Sequence, residues 1–388
     1  MNLKGNFLFC LLLLFFSTDS LLAQQLSLDE HVLNSKILNE EQKISVYLPE
    51  EYKKDSNHRY PVLYALDGKY YKKTVSAVIA HFYNDWLIPE TIVVTIDNEN
   101  RIRDYTPSPH PTADVPSGKA DAFLDYMEKE LIPFVDSNYQ TSEFRILEGH
   151  SLGGLFSLYT VQARPELFTA HYAFSPSLHW GDNKTVEKII EYLASRKSLE
   201  QFIYMNLGDE IVESEYEPGN TMASSFLKLQ TFFKENSVSG LRVKSEVFAT
   251  LPHVATNMTG LVNATNELYR NWVLPFKAME KGPEAISEHY EKLSADLYYE
   301  IKPRMEPINF AADYVTNGIH SPERGMKLLE YNAELYPDSA WVNFNLAKGH
   351  KQREDLVLAK KYGTKALKLI AQDDEELKSS IVNFLETL

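Results

Sequence analysis

Cysteine is nearly missing from this chain: among 388 residues there is one, Cys10, inside an apolar stretch near the N-terminus. If that stretch is removed, no thiol remains, which excludes cysteine nucleophiles, Cys-ligated zinc and disulfides and suits an oxidising compartment. Excess positive charge is also missing. With 39 Lys and Arg against 54 Asp and Glu, the formal charge is −15 and no basic cluster stands out. Phosphate backbones and anionic lipid surfaces repel such a chain, so nucleic acid and membrane-surface partners are not expected. Apolar runs of ~20 residues, the length a bilayer requires, do not occur either.

The N-terminus is the one place where apolar residues run together. Lys4, the ten-residue run 7–16 and a small-residue exit ending at Ala23 before Gln24-Gln25 have the order of an export signal. Leu8-Phe9 precede Cys10, where a lipoprotein signal has small residues. The expectation is a signal peptide over 1–23, a periplasmic or secreted mature chain, and no membrane insertion after cleavage.

From about residue 41 to 276 strand and helix patterns alternate. Segment 43–48 (K-I-S-V-Y-L) alternates like a half-buried strand, while 61–66, 91–96, 146–147, 170–174 and 202–207 are short apolar runs that fit strands covered on both faces. Between them, 122–135, 152–162, 186–193 and 223–233 have helical spacing. The pattern predicts an α/β fold, a largely parallel sheet with helices on both faces. In such sheets chemistry sits just beyond the carboxyl ends of the strands.

One strand end carries G-x-S-x-G. Gly149-His150-Ser151-Leu152-Gly153 follows the run F-R-I-L-E and precedes a helical segment. Glycines at both flanks permit the tight turn that presents a serine hydroxyl at a helix N-terminus, where the Leu152 N–H can donate to an oxyanion. Ser151 is therefore the candidate nucleophile. Its base and orienting acid should follow in the order Ser, acid, His. Asp209, Glu210 and Glu213 lie past the strand 202–207, with Glu210 first choice and the other two as alternatives. His253 lies past the alternating segment 241–249, where the base belongs; His179 is the runner-up, and His150 faces the wrong way. A second oxyanion donor is expected after the 61–66 strand, from Gly68 or Lys69, although Asp67-Gly68 also reads as a plain turn. Tyr70 and Trp180 are candidate aromatic walls for a substrate. Arg103, with Arg101 and Asp104, either steers an anionic substrate or forms a loop salt bridge.

These residues resemble the putative esterase family of α/β-hydrolases, which includes the enterochelin esterase-like and esterase D-like groups. The likeness rests on Gly149-His-Ser-Leu-Gly-Gly154, Tyr60-Pro-Val-Leu-Tyr-Ala-Leu-Asp67-Gly68 and Ser175-Pro-Ser-Leu-His-Trp180, over roughly 40–276. It implies an α/β-hydrolase fold and hydrolysis of a small-molecule ester through an acyl-enzyme, with no cofactor and no metal. Siderophore, feruloyl, acetyl-sugar and simple acyl esters all fit that implication.

After residue 277 strand signals cease. Segments 324–339 and 358–373 align at an offset of 34, with 341–347 between them as a further helix. A helical period of 34 resembles a tetratricopeptide repeat from about 320 onward. The expected division is 1–23 signal, 24–276 hydrolase and 277–388 helical domain, the last either a groove for a protein partner or a hairpin packed on the hydrolase. Two alternatives to an esterase stay open: a partner-binding scaffold working through its repeats, and an acyltransferase with the same triad.

Overall fold

The computed structural model describes residues 27–50, 52, 54, 58–110, 114–213, 221–370 and 374–388, with only the backbone of Val212 and Glu213. The expected signal segment 1–23 and Cys10 lie outside the described residues.

Eight strands form one sheet: β1 (Ser27–Ser35), β2 (Glu40–Leu48), β3 (Tyr60–Ala65), β4 (Ile92–Asp97), β5 (Thr141–His150), β6 (Ala170–Phe174), β7 (Ser198–Leu207) and β8 (Ser239–Val247). Their order is β1-β2-β4-β3-β5-β6-β7-β8. β1 and β2 pair antiparallel, as do β2 and β4, and every pairing from β4 through β3 to β8 is parallel. Chain order reverses around β3, with β4 on one side and β5 on the other. The crevice between the carboxyl ends of β3 and β5 is therefore the topological switch point. The segments after β3 and β5 are Asp67-Gly68 and Ser151.

The part of the chain that builds the sheet carries α1 (Gly68–Asn84), α2 (Arg101–Tyr105), α3 (Ala120–Tyr126) running through a π turn into α4 (Ile132–Asn138), α5 (Leu152–Ala163), α6 (Lys184–Ser195), α7 (Glu210–Glu213), α8 (Met222–Glu235) and α9 (Thr256–Leu268). Alternation along each strand assigns side chains to two faces. Val62, Tyr64, Val94 and Leu147 pack on Phe123 and Leu131 of the α3–α4 run and on Phe156 of α5. Ala173, Ile203 and Met205 extend that face onto Leu155, Val186 and Phe226. The opposite face, with Leu63, Ala65, Val93, Phe144, Ile146 and Tyr172, packs on Val75 of α1 and Leu261 of α9.

Beyond α9 the described chain is helical: α10 (Phe276–Lys281), α11 (Pro283–Leu297), α12 (Met305–Asp313), α13 (Pro322–Leu335), α14 (Ala340–Gln352), α15 (Leu356–Leu369) and α16 (Glu375–Glu386). Helices α13 and α15 occupy the two segments that align at an offset of 34. Leu293, Ile308 and Leu328, from α11, α12 and α13, join the same buried cluster as Phe144 and Ile146 of the sheet. The change of character near 277 is thus a change of secondary structure, and one core runs across it. Among the described residues no helix is long and apolar enough to cross a membrane.

Candidate active site

Ser151 sits between β5 and α5 with φ 60° and ψ −113°, a backbone conformation that costs an L-residue of order 1–3 kcal/mol. Its surroundings enforce it. The Ser151 N–H donates to the Phe174 carbonyl at 2.8 Å, and its own carbonyl accepts from Leu155 N at 2.9 Å and Ser177 N at 3.1 Å. A Cβ on Gly149 would lie 2.4 Å from the Gly153 backbone, so only glycine permits this crossing of strand and helix. The Ser151 hydroxyl is 3.2 Å from that of Ser177. Leu152 opens α5, so its N–H has no carbonyl one turn back and faces the same space as the helix dipole.

His253 begins a short 3-10 turn, His253–Ala255, after β8. Its Nδ1 meets Oε1 of Glu210, the first residue of α7. Gly208 leaves room for this: a Cβ there would stand 2.7 Å from Glu210 Oε2 and from the Leu251 carbonyl. Glu210 is buried and its carboxyl titrates below the usual range. Burial pushes it up, but the hydrogen bond from His253, its own backbone N–H, the His253 charge and the Ser175 hydroxyl together outweigh burial. Between Asp209 and Glu210, the structure gives Glu210 to the histidine; Asp209 is half-buried and its N–H donates to the Leu251 carbonyl at 2.8 Å. The Glu213 side chain lies outside the described residues. The His150 ring lies tilted against that of His253, centroids 4.5 Å apart, which puts the Glu210–His253 pair beside the serine turn.

The loop after β3 faces this group. Asp67 is left-handed (φ 55°), and Gly68 and Lys69 carry the first amides of α1, the free donors of a helix start. The Asp67 carboxylate accepts two bonds from Arg101, each 3.0 Å, and Arg101 also reaches the His150 carbonyl at 3.4 Å. Tyr70 stands at the rim, 70% exposed. Trp180 is half-buried, its Nε1–H donating to the Ser108 carbonyl at 2.9 Å and its ring edge-on to His110. For Arg103 the structure shows the second of the two expectations. Its guanidinium is bound by Glu40 at 2.6 and 2.9 Å and by the fully buried Asp104, which is the salt-bridge alternative. The half-buried His179 stands apart from the Glu210–His253 pair in the described contacts, its pKa lowered by partial burial. Ser177, Tyr71 and the Arg101–Asp67 pair escaped the sequence reading; the S-P-S after β6 was the available hint for Ser177. Among the described residues no group of three or more His, Cys, Asp or Glu is placed to hold a metal ion.

Comparison with known proteins fits this geometry. Residues 35–217 match the model of the family described as Putative esterase. A ferri-bacillibactin esterase of Bacillus subtilis is 28% identical over 139 residues, 36% of this chain and 47% of that protein. A siderophore triacetylfusarinine C esterase of Aspergillus fumigatus is 31% identical over 154 residues, 35% of this chain and 51% of that protein. The chain thus spans about half the length of these two relatives. Among solved structures, an IroE-like serine hydrolase from Shewanella oneidensis shares the fold with a TM-score of 0.69 at 23% identity, covering 80% of this chain and 100% of that one. The fold is that of the α/β-hydrolases. Residues 35–217, a little under half of the chain, are similar to the putative esterase family, and the two siderophore esterases named above are among the relatives of this stretch.

Proposed function

We propose that the protein is an exported serine esterase that cleaves carboxylic esters through an acyl-enzyme on Ser151. The observation that carries the reading is the Glu210–His253 pair standing beside a strained serine at a helix N-terminus. With Nδ1 bound to Glu210, His253 keeps Nε2 for the serine. The base takes the Ser151 proton as Oγ attacks the ester carbonyl, and Glu210 stabilises the imidazolium that forms. The Leu152 N–H and an amide of Gly68 or Lys69 hold the oxyanion. Collapse expels the alcohol, which takes the proton from His253. Water, deprotonated by the same histidine, then attacks the acyl-serine and frees the acid.

The substrate class we favour is the ester linkage of a siderophore, because the two curated relatives above are named for siderophore esters. Export is supported by Lys4, the apolar run 7–16 and Ala23. The helical segment is read as part of the enzyme's core, since α11, α12 and α13 bury residues against the sheet; this favours the esterase over a scaffold acting through its repeats. The test is turnover of a panel of siderophore, feruloyl, acetyl-sugar and simple aryl esters by the purified chain, beside labelling with a fluorophosphonate. Ser151→Ala should lose both, and turnover retained in that variant sinks the reading.

A further inference from the structure

Three donors converge on the carbonyl oxygen of His253. Two come from Thr256, its N–H and its hydroxyl, the latter at 2.8 Å. The third crosses from another part of the fold: Nε2 of His150, 2.9 Å away. His150 ends β5, directly before Ser151, and is only 5% exposed.

The hydrogen-bond roles of this ring follow from its partners. A carbonyl only accepts, so Nε2 of His150 carries the proton and Nδ1 is left as an acceptor, faced by the Tyr71 hydroxyl at 3.3 Å. The tautomer is set from both sides. The ring is also neutral: burial first, then the adjacent His253, push its pKa down to about 4. A neutral, fully engaged imidazole in this place is a strut between two loops.

What it joins matters. Glu210 orients the His253 ring through Nδ1 but does not fix where the His253 backbone stands relative to β5. The bond from His150 does, because residue 150 directly precedes Ser151 at the strand end, so the backbone of the base is tied to the neighbour of the nucleophile. We propose that His150 is a positioning residue whose Nε2–H bond to the His253 carbonyl sets the distance between the His253 imidazole and the Ser151 hydroxyl. The proposal rests on the reading of Ser151 and His253 as nucleophile and base.

The test compares two amides. In His150→Gln the side-chain nitrogen reaches the place of Nε2 and can donate; in His150→Asn it falls at the place of Nδ1 and cannot. With an aryl acetate as probe, His150→Asn should lower kcat about 100-fold, the scale of a misplaced reacting group, with KM within about twofold. Fluorophosphonate labelling should slow in parallel, because it uses the same proton transfer. His150→Gln should keep at least about a third of wild-type kcat. If His150→Asn gives no cooperative melt, His150→Leu, which also lacks a donor at the place of Nε2 but fills the buried space, takes its place and should lower kcat by about the same factor with KM unchanged. Full kcat in the folded variant, or equal loss in Asn and Gln, overturns the positioning role. Ser151→Ala run alongside separates the two ideas: turnover surviving in it overturns the nucleophile, whereas an inactive Ser151→Ala beside a fully active His150→Asn overturns the strut alone.

Discussion

Asp67 and Arg101 form a two-pronged ion pair, Oδ1 to Nε and Oδ2 to Nη2, each at 3.0 Å, with Asp67 only 2% exposed. The pair ties the first turn of α1 to the carbonyl before Ser151, so it fixes the spacing of the two candidate oxyanion donors. Burial raises the Asp67 carboxyl and Arg101 opposes it, which means the aspartate depends on its partner to stay charged. Arg101→Ala should therefore destabilise the fold by about 3 kcal/mol, read from denaturant unfolding at pH 7, and should lower kcat more than it raises KM. Arg101→Lys, which cannot span both oxygens, should fall between. An Arg101→Ala protein of unchanged stability would show that the pair contributes nothing measurable.

Glu210→Gln preserves the shape of the loop but removes the charge opposite His253. We expect kcat to fall by roughly 10²–10⁴-fold, the upper end being the loss known for the equivalent change in a serine protease triad. Asp209→Asn should cost under about tenfold, as a half-solvated carboxylate with no contact to the histidine is screened by water. The comparison is made on steady-state hydrolysis of the best ester from the panel; the reverse ranking would reassign the acid.

Glu148 makes stability fall with rising pH. It is fully buried on β5, its Oε1 accepts from Asn257 at 2.6 Å, and burial raises its pKa to about 8 against the 4.5 of the free group. The folded protein keeps this proton where the unfolded chain has lost it. The contribution is thus complete below about pH 4.5 and declines progressively up to about pH 8. Glu148→Gln keeps the acceptor for Asn257 and cannot ionise, so it should be more stable than wild type at pH 8 by on the order of a few kcal/mol, the gap closing near pH 5. Chemical denaturation at the two pH values checks it; parallel pH curves would mean Glu148 does not titrate in this range.

The serine turn holds strain that glycine would release. Ser151→Ala retains the positive φ and the Cβ, whereas Ser151→Gly loses the steric penalty at a smaller entropic cost. Both variants should be inactive, and the glycine variant should be the more stable by about 1 kcal/mol in denaturant unfolding. Equal stability of the two would show that the turn is relaxed.

Removing residues 277–388 should not leave a soluble hydrolase. It would uncover Phe144, Ile146 and Tyr172, which share a core with Leu293, Ile308 and Leu328. Soluble yield and near-ultraviolet circular dichroism of the 24–276 fragment decide; a fragment with a cooperative melt would prove the sheet self-sufficient.

Much of this architecture was legible because it is written in local pattern. The apolar runs 61–66, 91–96 and 202–207 fall on β3, β4 and β7, and the serine turn announces itself through Gly149 and Gly153, which the crossing of strand and helix requires. Other parts were hidden for physical reasons. β1 is an edge strand paired on one side only, so Asp29, Glu30 and His31 interrupt its alternation without penalty. α1 buries Val75, Ile79 and Phe82 at helical spacing, but its start, Lys69 to Lys73, mixes three lysines with two tyrosines and follows an Asp-Gly that reads as a turn. The partner of Asp67 lies 34 residues away and that of the His150 ring 103 residues away. No local pattern encodes contacts of that reach; they exist only once β3, β5 and the loop after β8 lie side by side. Among the carboxylates after β7, the choice of Glu210 depended on how the chain turns at Gly208, which composition does not specify.

The shared core has a consequence for the order of events when the chain is made. Synthesis runs from the N-terminus, and one face of the sheet, with Leu63, Val93, Phe144 and Tyr172, acquires its full cover only after Leu328 has emerged. That side of the sheet lacks part of its cover while the last third of the chain is still on the ribosome, so its packing is completed late. For the export proposed above, a core whose final pieces arrive last delays folding until most of the chain has been made.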